Sequence, residues 1–141
     1  MRHTFILLCI LLMLDACSSK SKFIYIVPDL DSTITVEKIS INRLAKDYKR
    51  LNDQYIETQG IFFHGFEEFA IYTDQEIFSD ERKGFWMETN RSLNITNDGW
   101  QQINKWQGNR IIIKGRIDTS SHGHLRQYLA TIKNIYFLKE K

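Results

Sequence analysis

The chain has 141 residues, 26% of them charged, and its 19 lysines and arginines nearly balance its 17 aspartates and glutamates. A formal net charge of +2 with both signs mixed along the chain supplies neither the basic footprint that holds a polyanion nor an acidic tail. Two cysteines, Cys9 and Cys17, both sit near the start, so the long remainder contains no thiol for catalysis or cross-linking.

Met1, Arg2 and His3 give a basic opening, and an apolar core runs from Phe5 to Leu14. A core of this size falls in the range of about 7–15 residues typical of a secretory signal, short of the ~20 that span a bilayer. Ala16 directly precedes Cys17, Leu14 lies two positions before Ala16, and residues 18–22 turn polar at once. This resembles a bacterial lipobox. The resemblance implies that residues 1–16 are a lipoprotein signal peptide and that Cys17 becomes the acylated first residue of the mature chain. Asp15 departs from the pattern, which usually carries an uncharged residue there, and a charge at that point would slow processing. Buried acyl methylenes contribute ~0.8 kcal/mol each, so several chains hold a soluble domain at a membrane. Ser18 after the cysteine points, by analogy with Gram-negative lipoproteins, to the outer membrane with the domain facing the periplasm. With Cys9 discarded and Cys17 acylated no disulfide pair remains, and the core alone must stabilise the fold.

Residues 17–35 are expected to form a lipid-anchored tether and flanking segment. Within them Phe23-Ile24-Tyr25-Ile26-Val27 is apolar and Pro28 closes the run. Periodicity over five residues does not separate an edge strand from a sticky tether, and a segment packing loosely on the domain is the expectation. Ser40 then suits an N-cap, and Ile41, Leu44, Ala45, Tyr48 and Leu51 recur three or four apart, with Lys46, Asp47, Lys49 and Arg50 opposite. The pattern predicts a helix that covers one face of a core and ends at Asn52-Asp53.

Two longer segments echo each other. Residues 55–62 and 110–117 alternate apolar and polar residues and each carries a central glycine, Gly60 and Gly115. A glycine inside a strand marks a bulge or bend, and two bent strands predict a small closed barrel. Residues 69–72 and 84–88 read as short strands joined by a polar loop. Asp98 is the expected cap of a brief helix that directs Trp100 and Ile103 at the barrel, and Gly108 suits the left-handed turn after it. A fifth strand is expected from about Gln127 to Leu138, after a turn over residues 119–123.

Three strands, a helix and two strands is the order of an OB-fold. The fold class is therefore mainly β, a five-stranded OB-fold-like barrel over residues 36–141, with its short helix between strands three and four and a flanking N-terminal helix. The stretch Trp106-Gln107-Gly108-Asn109-Arg110-Ile111-Ile112-Ile113-Lys114-Gly115-Arg116-Ile117-Asp118, with Gly123-His124-Leu125 and Ala130-Thr131-Ile132-Lys133-Asn134-Ile135, resembles the last two strands of uncharacterised bacterial OB-fold lipoproteins and periplasmic proteins. The similarity spans about residues 36–138. It implies the fold and is nearly silent on activity.

Chemistry-bearing groups are sparse. His122 and His124 flank Gly123, with His64 a distant third, but zinc or copper needs three or four converging donors. The family resemblance implies instead that His124 caps or packs the start of the last strand, so no metal is expected. Glu67, Glu68, Asp74, Glu76, Asp80 and Glu81 match no calcium loop spacing. No Gly-x-Ser-x-Gly elbow and no glycine-rich phosphate loop occur, so no cofactor is expected and a binding or scaffold role outranks catalysis. Tyr72, Phe85 and Trp86 could stack on bases, yet the acidic loop beside them opposes phosphate, which argues against nucleic acid. Alternation sends Ile71, Phe85 and Met87 inward and leaves Tyr72 and Trp86 as partner-binding candidates. Phe78, in an acidic loop with Ile77, is a third, the alternative being that the pair plugs the barrel end. The expected partners are the membrane, through lipid on Cys17, and a protein or peptide of the cell envelope. The alternative is a receptor for a small ligand or oligosaccharide through the aromatic residues of strands two and three.

Overall fold

A computed structural model of the chain describes residues 24–26, 33–73, 83–89 and 93–141. Alternating residues build its sheet. In β3 (Tyr55–Gly65) the side chains of Ile56, Thr58 and Phe62 point inward with Gly60, and β6 (Arg110–Asp118) repeats the pattern with Ile111, Ile113, Gly115 and Ile117. The two strands pair antiparallel from Tyr55↔Arg116 to Ile61↔Arg110. At Ile61 the partner changes, and the second half of β3 pairs with β4 (Glu68–Tyr72). β4 pairs with β5 (Gly84–Thr89), β5 runs parallel to β7 (Ala130–Glu140), and β7 returns antiparallel to β6. That circuit closes a five-stranded barrel with the connectivity of an OB-fold.

Two helices plug it. α1 (Ile41–Asp47) is capped by the Ser40 hydroxyl, which accepts from the Arg43 amide, and runs on as a 3-10 turn over Tyr48–Leu51. Ile41, Leu44 and Leu51 are buried, and Tyr48 sets its ring edge against Phe85 at 6.2 Å. α2 (Asn97–Asn104) lies between β5 and β6 and buries Ile103, with Trp106 just beyond it. The cap of α2 is Thr96, not Asp98: its hydroxyl accepts from the Gly99 amide at 3.1 Å. Asp98 falls in the first turn, where a carboxylate still complements the helix dipole. Gly108 takes the expected left-handed conformation at φ 77°.

Two further strands flank the barrel, and the apolar run before Pro28 takes the edge-strand alternative, not the loose packing expected of it. β1 (Ile24–Ile26) pairs antiparallel with β7, from Ile24↔Lys139 to Ile26↔Phe137, immediately after β5 has left that edge at Thr89↔Ile135. β2 (Val36–Lys38) pairs parallel with β3 from Val36↔Tyr55 to Lys38↔Glu57, on the half of β3 that β4 does not reach. Both short strands therefore satisfy backbone groups that barrel closure leaves unpaired on the two 11-residue strands. The last strand also starts later than expected, at Ala130, because residues 119–129 form a long loop.

Neither strand glycine has a positive φ. The β6–β7 register does shift between Lys114 and Arg116, beside Gly115, whereas Gly60 faces Ile111 in unbroken register. What both positions require is close approach. A Cβ on Gly60 would lie 2.5 Å from the Tyr72 carbonyl oxygen and 2.8 Å from Ile71 Cγ1, and one on Gly115 would lie 2.8 Å from Ile132 Cγ2. The strands coil so tightly that a neighbour crosses directly over each glycine. Gly60→Val and Gly115→Val are each expected to cost more than the ~1 kcal/mol of propensity alone, because overpacking adds to it. Urea unfolding measures this, and variants as stable as the parent would show that the strands can straighten.

Candidate functional site

The outer face of β3, β4 and β5 carries Phe63, Tyr72 and Trp86, and the loop over residues 119–129 folds across it. That loop is pinned at both ends. Asp118 accepts from the Ser120 amide at 3.0 Å, from the Ser120 hydroxyl at 2.6 Å and from Lys133 Nζ at 2.6 Å. Asn52 Oδ1 accepts from both the amide and the hydroxyl of Thr119 at 2.9 Å. At the far end His122 Nδ1 donates to the carbonyls of Tyr128 and Leu129 at 3.0 and 3.1 Å, which fixes its tautomer with the proton on Nδ1. Gly123, at φ 63°, rests on the Trp86 side chain so closely that a Cβ would come within 2.5 Å of Trp86 Cβ.

Between this loop and the β3–β4 turn lies a cleft of about 690 Å³. The turn contributes Phe66 and Glu67, and β4 contributes Glu68 and Tyr72. His124, Leu125, Gln127 and Tyr128 form the opposite wall. His124 Nε2 reaches Glu67 at 3.2 Å and so links turn to loop across the opening. Backbone strain gathers around the cleft: Glu67, Leu125 and Arg126 have φ of 60°, 51° and 59°, the left-handed region that side chains other than glycine enter at a cost. Among the described residues, Phe66 (94% exposed) and Leu125 (72%) are the large apolar side chains left in water, and both stand at this cleft.

Tyr72 is in the cleft wall but is not an exposed platform. Its ring covers Gly84, packs edgewise on Phe63 at 5.5 Å and contacts Tyr128 at 6.3 Å, leaving it 5% exposed. Its hydroxyl donates to Glu68 at 2.7 Å. Burial, and after it the bond to Glu68, pushes the Tyr72 phenol well above the ordinary tyrosine range, so it stays a neutral donor. Trp86 is half-buried beneath the loop, 5.3 Å from the Tyr128 ring, and does not line the cleft. Tyr128 thus joins the two predicted aromatic residues. Phe78 and Cys17 lie outside the described residues.

The histidines serve separate ends. His64 bonds to Asn104 through its ring and to Gln107 through its amide, and no group of three metal-capable side chains converges among the described residues. Phe66, Leu125, Gln127 and Tyr128 are the cleft residues that sequence reasoning passes over. Phe66 had a visible signal, since an aromatic residue at the tip of a tight hairpin, Gly65-Phe66-Glu67-Glu68, has no core to fill. Leu125 had none, because its outward direction depends on the left-handed backbone around it. No protein-family model and no curated protein sequence matches the chain.

Asp118 is the clamp at the base of the loop. The Lys133 ammonium, and after it the Ser120 hydroxyl, holds its carboxyl well below the usual carboxylate range. A carboxyl that binds protons less readily when folded stabilises the fold above its unfolded pKa of about 4, and that contribution fades as pH falls below it. Asp118→Asn is expected to lower stability by about 1–2 kcal/mol at pH 7. The gap between variant and parent should narrow as urea unfolding is repeated below about pH 4. Amide exchange in residues 120–128 should quicken in the variant at neutral pH.

Proposed function

We propose that this protein is a membrane-anchored bacterial lipoprotein whose OB-fold-like barrel binds a protein or peptide of the cell envelope in the cleft between the β3–β4 turn and the 119–129 loop. The observation that carries the reading is the pair Phe66 and Leu125, held in water at 94% and 72% exposure on opposite sides of one concave surface. Apolar side chains presented this way lose free energy in solution and regain it when a partner covers them. The position agrees with the chemistry of the fold, since OB barrels use the face of strands two and three with the loops that flank it.

The oligosaccharide alternative asks for open aromatic faces, and here Tyr72 covers Gly84 while Trp86 lies under Gly123. Nucleic acid would bring phosphates against Glu67 and Glu68. Both features favour the peptide reading. Phe78 belongs to it as a further contact from the acidic loop.

The anchor and the cleft are tested together in cells. Mass spectrometry of the native N-terminus should find a diacylglycerol-bearing Cys17, and an unmodified terminus at another residue would refute the anchor. Proximity labelling from the lipidated protein should recover an envelope protein, and recovery should fall at least several-fold in the Phe66→Ser/Leu125→Ser variant. Because both side chains are exposed, that variant should unfold within ~0.5 kcal/mol of the parent. Unchanged labelling would remove the cleft from the proposal.

A further inference from the structure

We propose that the protein has a second binding site, for a small carboxylate with a short aliphatic body, in a pocket at the interval that β2 and β4 leave between them along the edge of β3. This site is separate from the peptide cleft and from the anchor.

The pocket begins as a gap in pairing. On the edge of β3 that faces away from β6, β2 keeps company only as far as Lys38↔Glu57, with the Ile39 amide donating to the Glu57 carbonyl at 3.0 Å. β4 takes up the same edge at Ile61↔Tyr72. Beside the interval, at Gln59, lies a hollow of about 210 Å³. That is below the ~300–1,000 Å³ of a drug-sized site and admits only a compact molecule.

The polar lining is rich in donors. Thr58 lines the pocket and is 2% exposed, and its hydroxyl has no hydrogen-bond partner among the described residues. The Ser40 hydroxyl accepts from the Arg43 amide at 3.4 Å and keeps its own proton to give. Gln59 adds a carboxamide with two N–H donors. Lys38, 85% exposed at the rim, reaches one oxygen of Glu57 at 3.2 Å, and Lys114 holds the other at 3.0 Å. With Lys114 in place, Lys38 can turn to an incoming anion without leaving Glu57 uncompensated. An ammonium, two hydroxyls and a carboxamide around one small space call for an oxyanion, since charge-assisted bonds are the stronger kind.

The apolar lining narrows the class. Ile39, 6% exposed, and half-buried Ile112 complete the wall. Inorganic phosphate has nothing to lay on them, whereas the short chain of propionate does. Thr58 carries a further consequence. A buried hydroxyl without a partner costs stability, and valine, of nearly the same shape, has no polar atom to satisfy. The ligand-free chain should therefore be more stable with valine at this position, and the bound chain should miss the hydroxyl.

The test titrates the isotopically labelled full-length chain, in a non-ionic detergent at constant ionic strength, with propionate, propionamide and inorganic phosphate. Backbone amide resonances followed by NMR should shift saturably with propionate at Lys38, Ile39, Ser40 and Gln59, with binding roughly tenfold tighter than for propionamide or phosphate. Lys38→Gln should bring propionate down to the propionamide level. Thr58→Val should weaken propionate several-fold while raising the urea midpoint of the ligand-free chain. Propionamide or phosphate binding as tightly as propionate would overturn the carboxylate assignment. Absence of shifts at tens of millimolar propionate, or unchanged binding in Thr58→Val, would overturn the site.

Discussion

One strand has to serve two partners, and most of the structure follows from how it does so. β3 pairs with β6 up to Ile61 and with β4 from Ile61 onward, so the changeover falls beside Gly60. There the β4 backbone crosses at a distance that no Cβ could share. Closing the barrel with so few strands demands this coil, and the enclosed interior is then filled from every strand of the barrel by Phe62, Ile71, Phe85, Met87, Ile113 and Ile132. The same coil brings the turn after β3 over the face of its own sheet, towards the loop that precedes β7. The cleft is thus a product of closure: without the change of partner the turn and the loop would not meet.

The loop over residues 119–129 behaves as an added layer, not a slack connection. Its ends are tied by side chains of Asn52, Asp118 and His122, its Gly123 and Tyr128 rest on Trp86, and hydrogen bonds of this kind contribute on the order of 1 kcal/mol each. Against this stand the left-handed backbones of Leu125 and Arg126, each costing roughly 1–2 kcal/mol. The ties outnumber the strained residues, which is how the loop can hold an apolar side chain outward. Elsewhere comparable strain has a structural purpose: Asp53 turns the chain from the 3-10 segment into β3, and Asn134 lies within the β7 irregularity.

Much of this was legible in the sequence where a local pattern decides the outcome. Alternation marks β3 and β6 because each buries every second residue over nine or more positions. Ser40 caps α1 and Gly108 turns after α2 because capping chemistry is local. β2 escapes, and β1 stays one of two alternatives, because three residues carry no period and their pairing depends on which edges the barrel leaves open. Thr96 was passed over for Asp98 because both are good caps two positions apart. Tyr72 was placed on the correct face of its strand, but its burial is decided by Gly84 and Tyr128, the latter more than fifty positions away. The cleft shares that difficulty, since its two walls come from residues 66–72 and 124–128.

The pairing of β1 with β7 also sets a leash. Seven peptide steps separate Cys17 from Ile24, and a fully extended chain of that length reaches about 25 Å. A barrel of about 100 residues has a radius of gyration near 13 Å, so the leash is no longer than the domain is wide. For a chain lipidated at Cys17, the barrel would hover at the membrane surface and would not sweep the periplasm. Because the leash feeds straight into a hydrogen-bonded strand, its inner end is fixed to the sheet. Partners would then have to come to the bilayer, where confinement to a thin shell raises the concentration at which the two surfaces meet.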